Sequence, residues 1–580
     1  MEAYRAAAKK ELERIHTDNV FSLSLGSCPI PGISLADLWN GIRTQHNLDT
    51  DTNISENFLI TQLFLETVEN PFPDSQIEAA NALISWISAV ILPSDTFEGA
   101  WEESQLSTDD AKEDIFDRYK PARIKAALGL EALKRIWKLL SINRIEDHVK
   151  VIATLAAFTD LQDPWTSVTA FSSATLLLNE YKESYRAKDQ QLPALFGEIL
   201  ARYVKPSFSK SRTPALTSAG RKDMHPLKQP KFDPSLFEKG SKPWKYTNNF
   251  VLTILSWVVG QYTPSDRATI EGQFPLLVPA ILSLIDDESL PYKALGCRIL
   301  YQLLIPLEQT KSDILKRTNL DSVFEDALSP CLLSLPTITP EEQSIHLLKF
   351  AYPALFSVIR TRFPLSPPSK EFYSPAPSHR KTEAQEAQSR LICLTKVLRQ
   401  GIISSYSHIS MSRPSEDTYI SSFPYPRLST LLLNQLATAI RELALDSIKH
   451  LQEIIPILTS TLTNPFGTAY IPLLIAAIDS MLQLILSAWP RIWKWRADIL
   501  ASLCGCWLQI KMDESSGSIT AETIGLLKAK ITECFEALKI TLEESNIVDE
   551  TGEKIYVQDE LQNLMSSDER LIDLLSDRSC

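Results

Sequence analysis

The groups able to do chemistry are few in this chain, and they are scattered. The closest thiol pair is Cys504-Gly505-Cys506. A zinc site needs a second pair or a nearby histidine, and neither accompanies it. The pair lies in an apolar helical run, where cysteine serves as a small hydrophobe. His16, His46, His148, His225, His346, His379, His408 and His450 keep no ligand spacing; His346 and His450 fall in helical runs and read as interior or rim residues. Asp286 and Asp287 are neighbouring carboxylates, as acid–base work would need. Their place between two apolar runs gives them turn and capping duties instead. No Gly-rich phosphate loop, nucleophile elbow or metalloprotease helix motif occurs. No catalytic residue, cofactor or metal is therefore expected.

One stretch carries binding chemistry. Trp489-Pro490-Arg491-Ile492-Trp493-Lys494-Trp495-Arg496 holds three tryptophans and three cations in eight residues. Trp and Arg are the residues favoured at the centre of protein interfaces, and cation–π stacking inside one hairpin is their other use. Trp489, Arg491, Trp493 and Trp495 are candidate partner contacts, as are Trp244 and Lys245 further upstream.

The elements that must position these groups are helices. From Phe274 to Leu304, two apolar runs flank Asp286-Asp287-Glu288-Ser289. Leu277, Ile281, Leu284 and Ile285 share a face of the first run. Tyr292, Leu295, Ile299 and Leu303 line the second, with Pro291 in its first turn and Gly296 permitting close helix contact. Asp286, Asp287 and Ser289 offer oxygens to the free N–H groups that open it. This hairpin resembles a HEAT repeat, with Pro279, Asp287 and Lys293 at the proline, aspartate and basic places. The resemblance implies a ladder joining Asp287 and Lys293 between neighbouring units. Asp160-Leu-Gln-Asp-Pro-Trp165 is similar to a degenerate copy with Asp163 in the aspartate place and no basic residue after it.

A chain of 580 residues exceeds one compact core, but stacked hairpins avoid that limit because each touches only its neighbours. The net charge of −13 and isoelectric point near 5.3 argue against nucleic acid or an anionic membrane as the main partner. The irregularly placed cysteines make no disulfide framework and suit a reducing compartment. The first residues have no secretory apolar region, and no uninterrupted apolar run reaches transmembrane length. An intracellular protein, cytoplasmic and nuclear, is expected.

The fold expected is all-α, a HEAT-like α-solenoid of stacked antiparallel helical hairpins with two long loops. Residues 1–204 form its N-terminal half. Residues 205–245 are a basic, flexible stretch, readable as an interaction arm, a phosphorylated linker or a solvated connector. Residues 246–542 form the C-terminal half, interrupted by a Pro/Ser-rich loop at 363–388. Residues 543–580 are an acidic tail in which Leu561, Leu564, Leu571 and Leu575 suit an amphipathic cap or a partner-docking helix.

Several segments in succession resemble the Tel-two-interacting protein two family: Lys242-Pro-Trp-Lys245, Pro275–Pro279 with Asp286-Asp287 and Tyr292–Gly296, Val323–Pro330, Ala351–Leu355, Lys396–Ile402, Ile448–Leu451, Asn464-Pro-Phe466 and Trp489–Ile492. That resemblance implies a non-catalytic scaffold of the TTT cochaperone complex, bound to Tel-two-like and Tti-one-like HEAT proteins. It further implies support for the maturation and stability of phosphatidylinositol-3-kinase-related kinases, alongside the ninety-kilodalton heat-shock chaperone. A HEAT-type nuclear transport receptor would share the charge and the solenoid, and binding of a GTP-loaded small GTPase and Phe-Gly repeats would distinguish it.

Overall fold

The computed structural model describes residues 2–18, 33–43, 51–186, 192–211, 216–217, 221–223, 239–364, 377–411, 424–516, 521–544 and 557–576. It forms two compact units, Met1–Phe324 and Glu325–Cys580. The first unit begins with α1 (Glu2–Asp18), α2 (Leu35–Arg43), α3 (Asp51–Glu66), α4 (Ile77–Val90), α5 (Ala100–Leu106), α6 (Asp109–Arg118), α7 (Lys120–Leu139), α8 (His148–Ala156) and α9 (Val168–Arg186). Here α1, α3, α7 and α9 pack in succession as one layer, and α2, α4 and α8 as the other. First helix on first helix and second on second is how paired helices stack in a HEAT-like α-solenoid.

The unit continues through α10 (Leu192–Ile199), α11 (Lys205–Phe208), α12 (Pro243–Tyr246), α13 (Phe250–Gly260), α14 (Arg267–Ile285) and α15 (Leu290–Gln309). The last two are the hairpin anticipated from periodicity. Leu277, Ile281, Leu284, Tyr292, Ile299 and Leu303 are all fully buried. A Cβ on Gly296 would stand 2.9 Å from the Ile285 backbone nitrogen and 2.8 Å from its side chain, so only glycine allows this approach of the two helices. The unit closes with α16 (Ile314–Thr318), and α17 (Leu320–Leu328) runs across the boundary.

In the second unit α18 (Glu341–Arg362) is followed by α19 (Pro377–Lys396), a π-helical turn (Val397–Ile403) and α20 (Ser404–Met411). Then come α21 (Pro426–Leu443), α22 (Leu451–Leu462), α23 (Ile471–Ile492), α24 (Arg496–Ser516), α25 (Ala521–Glu544), α26 (Val557–Ser567) and α27 (Ile572–Leu575). The stacking repeats: α18, α21, α23 and α25 succeed one another in one layer, and α22 lies on α24 in the other. Among the described residues there is no β-strand.

Four expectations are corrected. Residues 377–388, expected as loop, belong to α19. They lack apolar periodicity but are rich in Ala, Glu, Gln, Lys and Arg, all strong helix formers, and further along α19 Arg390 pairs with Glu442 at 2.6 Å. The stretch 205–245 is described in pieces, and its ends are built into the first unit as α11 and α12; the division between units falls at Phe324, not there. The helix of the acidic tail breaks at Ser567, and the tail packs back on α24. There Glu560 pairs with Arg496 at 2.9 Å and the Arg570 carbonyl accepts Trp507 Nε1–H at 3.0 Å. Finally, Asp74–Phe97, Pro264–Ile285 and Gly467–Glu514 have the length and hydropathy of a membrane span. They are apolar on several sides because neighbours cover several sides: α23, for example, touches α21, α22 and α25.

Candidate protein-interaction surface

The family-like segments gather at two kinds of place, one sealed and one open. The sealed place is a node in the first unit. Asp287, whose side chain is fully enclosed, accepts Lys242 Nζ at 2.6 Å and Lys245 Nζ at 3.0 Å, and its Oδ1 also accepts the Ser289 N–H at 3.0 Å. Burial opposes ionisation of Asp287. The hydrogen bonds from Lys242, Ser289 and Lys245 outweigh that and hold its carboxyl below the usual range. Lys245 Nζ lies 5.0 Å above the Tyr292 ring. Trp244 stacks on Phe208 with centroids 5.2 Å apart, meets Tyr292 edge-on, and donates from Nε1 to Ser211 Oγ at 2.9 Å.

The implied Asp287–Lys293 ladder is therefore not made. Lys293 Nζ donates to the Ile285 carbonyl at 3.3 Å, two residues short of Asp287, whose oxygens the two lysines of 242–245 already fill. Nor does Ser289 cap α15 with its side chain; its hydroxyl donates to Glu102 at 2.6 Å. Trp244 is wholly buried and Lys245 nearly so, and both hold this unit together. Glu102 and Trp101, which stacks on Tyr292 at 4.7 Å, complete the node without any local sequence signal.

Asp163, the degenerate copy, uses neutral partners. It is buried and accepts Trp101 Nε1–H at 3.0 Å and the Thr253 hydroxyl at 2.6 Å. Burial, reinforced by the nearby Asp160 charge, pushes its carboxyl well above the usual range. The folded protein thus keeps this proton after the unfolded chain has lost it. The resulting stability is complete below the unfolded value of about 4 and is lost as pH rises toward the folded one, by about 1.4 kcal/mol per unit inside that window. Asp163→Asn is expected to gain stability relative to wild type as pH is raised from 4 to 8 in urea unfolding. Parallel pH profiles would exclude this.

The open places lie in the second unit. Ala488 leaves the helical region (φ −103°, ψ 19°) two residues before Pro490, whose ring cannot fit a straight helix. The kink leaves Trp489 54% exposed and Leu486 57% exposed. Asp479 of α23 pairs with Lys530 of α25 at 3.0 Å. Ten residues on along each helix, about 15 Å, stand Trp489 and Ile540, which is also exposed. Arg491 is exposed and makes no ion pair among the described residues. Trp493 and Trp495 are half-buried, Lys494 Nζ sits 5.5 Å from the Trp493 ring, and Arg496 is committed to Glu560. The tryptophan cluster is thus divided, with Trp489 and Arg491 facing out and the rest supporting the α23–α24 corner.

Within the second unit, Glu325–Pro330, Leu355 and Lys396–Gly401 from three of the family-like segments supply residues that line a cleft of about 290 Å³ beside the π-helical turn. There the Tyr352 hydroxyl donates to the Gly401 carbonyl at 3.1 Å. Periodicity alone does not bring these segments together; Gly401 inside an apolar helical run is the one local signal of a close approach.

Cys504 and Cys506 are buried in α24, where burial raises their thiols to about 11 and about 12. His450 is buried, and burial holds its imidazole below the usual value. Among the described residues no cluster of His, Cys, Asp and Glu is arranged to hold a metal ion.

A family comparison decides what these surfaces belong to. The Tti2 family profile matches residues 151–469, more than half of the 580. The chain belongs to the Tti2 family. No curated protein matches the sequence. The matched Tti2 region contains most of the Asp287 node and the whole Gly401 cleft, and it ends before Trp489.

Proposed function

We propose that this protein is a non-catalytic scaffold subunit of a TTT-type cochaperone assembly. Its partners are Tel-two-like and Tti-one-like HEAT proteins, and the assembly supports maturation and stability of phosphatidylinositol-3-kinase-related kinases beside the ninety-kilodalton heat-shock machinery. It works in cytoplasm and nucleus. The observation that carries this reading is the Tti2 family match over residues 151–469. Layers of paired helices fit it, since they present long flanks for other proteins.

The scaffold's binding energy is expected to concentrate in a few exposed large side chains, with Trp489 the foremost. Affinity purification of the tagged full-length chain from its own cells, with quantitative mass spectrometry, tests the reading. Tel-two-like and Tti-one-like subunits should be recovered in near-equal amount, and depletion of the chain should lower the levels of the related kinases. Recovery of neither subunit would refute it.

A further inference from the structure

The cleft beside the π-helical turn has a built character that its neighbours lack. Leu332, Leu355 and Val397 form a buried apolar floor. Leu333 stands on the rim with 66% of its surface exposed, a costly arrangement for a leucine with nothing over it. A π-helical turn inside a longer helix is a local departure that concentrates at functional sites. Here it spans Val397–Ile403 and is tied to α18 through Tyr352 and Gly401. A Cβ at Gly401 would come within 3.1 Å of Leu332, so the floor depends on the glycine.

The charges at the mouth are unbalanced. Glu325 is neutralised by Lys396 at 2.7 Å. Asp326, exposed beside it, has no ion pair among the described residues. Lys396 also feels Asp326, so two carboxylates share one cation and the opening, apolar within, carries a net negative charge at its edge. Its volume of about 290 Å³ lies at the small end of ligand sites, enough for one or two side chains.

We propose that this cleft docks a short segment of a partner protein, which inserts one bulky apolar side chain over Leu332, Leu355 and Val397 and places a lysine or arginine against Asp326. This rests on the scaffold reading and specifies the chemistry of one of its contacts. Leu333 closes over the inserted side chain from the rim, and the cation replaces solvent at Asp326.

The test uses the full-length chain and a panel of fluorescein-labelled peptides in a Gly/Ser background. Each has a central Leu or Phe and, two residues on, Arg, Glu or Ala. Fluorescence anisotropy should show the Arg peptides binding about fivefold tighter than the Glu peptides, the scale of an exposed ion pair. Asp326→Lys should reverse that preference, and Leu333→Asp should weaken all apolar peptides about tenfold. Both residues are exposed, so unchanged circular dichroism and urea midpoints are expected in the variants. Absence of binding, or a preference that Asp326→Lys leaves intact, overturns the proposal. So does a wild-type dimer in sedimentation that Leu333→Asp dissolves, since a second copy would then fill the cleft. The scaffold reading is judged separately, by recovery of the partner subunits. Peptides that fail on a chain that does recover them overturn the cleft alone.

Discussion

Asp287→Ala is expected to lower the stability of the first unit by about 3–5 kcal/mol, the scale of breaking a buried ion pair from one side. Asp287 is fully enclosed and Lys245 is 8% exposed, so the alanine leaves its ammonium group with the Tyr292 ring and the solvent-exposed Glu288 carboxylate at 3.8 Å. The Lys245 ammonium must then stay dehydrated with only that longer, exposed pairing, or lose its proton. Hydrogen exchange of α14 and α15 amides in urea reads this locally.

The pH dependence follows from the two groups. The Asp287 carboxyl is held low and, although burial works against it, the Lys245 ammonium is held high by Asp287. The pair's contribution is therefore present between the unfolded values of about 4 and about 10.4. It fades as acid passes the folded Asp287 value or base passes the folded Lys245 value. The mutant and wild type should converge as acid passes the folded Asp287 value, which lies below that of the unfolded chain. Lys293→Glu, touching only a carbonyl, should cost about 1 kcal/mol. Replacing Asp287 and Lys245 together by methionine should recover most of the loss, because apolar replacements avoid desolvating two charges. A single Asp287→Ala cost under about 1 kcal/mol would mean the lysines are hydrated and the node is weak.

Helical class, paired packing and the α14–α15 hairpin were legible because burial writes itself into sequence as a period. Leu277, Ile281 and Leu284 are apolar because one face of a helix must leave water, and nothing distant is needed to see that. Polar pairing has no such period. Asp287 looked matched to Lys293 by repeat resemblance, yet its partners lie 45 and 42 residues upstream, brought there by α12. Glu102 reaches Ser289 across 187 residues. The same blindness hid the start of α19, where propensity rather than burial makes the helix. It also hid the cleft at Gly401, which exists only where three separated segments meet. Trp489 was readable as unusual chemistry, but its exposure depends on the break at Ala488, which Pro490 supplies.

Trp244 and Trp489 were equivalent candidates on residue type, and their alanine variants should now behave in opposite ways. Trp244 is fully buried, stacks on Phe208 and has its indole N–H bonded to Ser211. Truncation empties a large space and should cost about 3–5 kcal/mol of folding stability. Any loss of partner binding should track the unfolded fraction and return under stabilising conditions. The effect should not add to that of Asp287→Ala, because both remove parts of one node. Trp489 stands outside the kink with half its surface in water, so its alanine variant should shift stability by no more than about 0.5 kcal/mol. If it is the anchor of the scaffold's contact, binding of the purified partner subunits should fall by about 2 kcal/mol or more, roughly thirtyfold. Calorimetric binding beside urea unfolding separates the two. A Trp489→Ala chain that binds normally would remove this corner from the interface, and a stable Trp244→Ala chain that binds nothing would place the contact at the node instead.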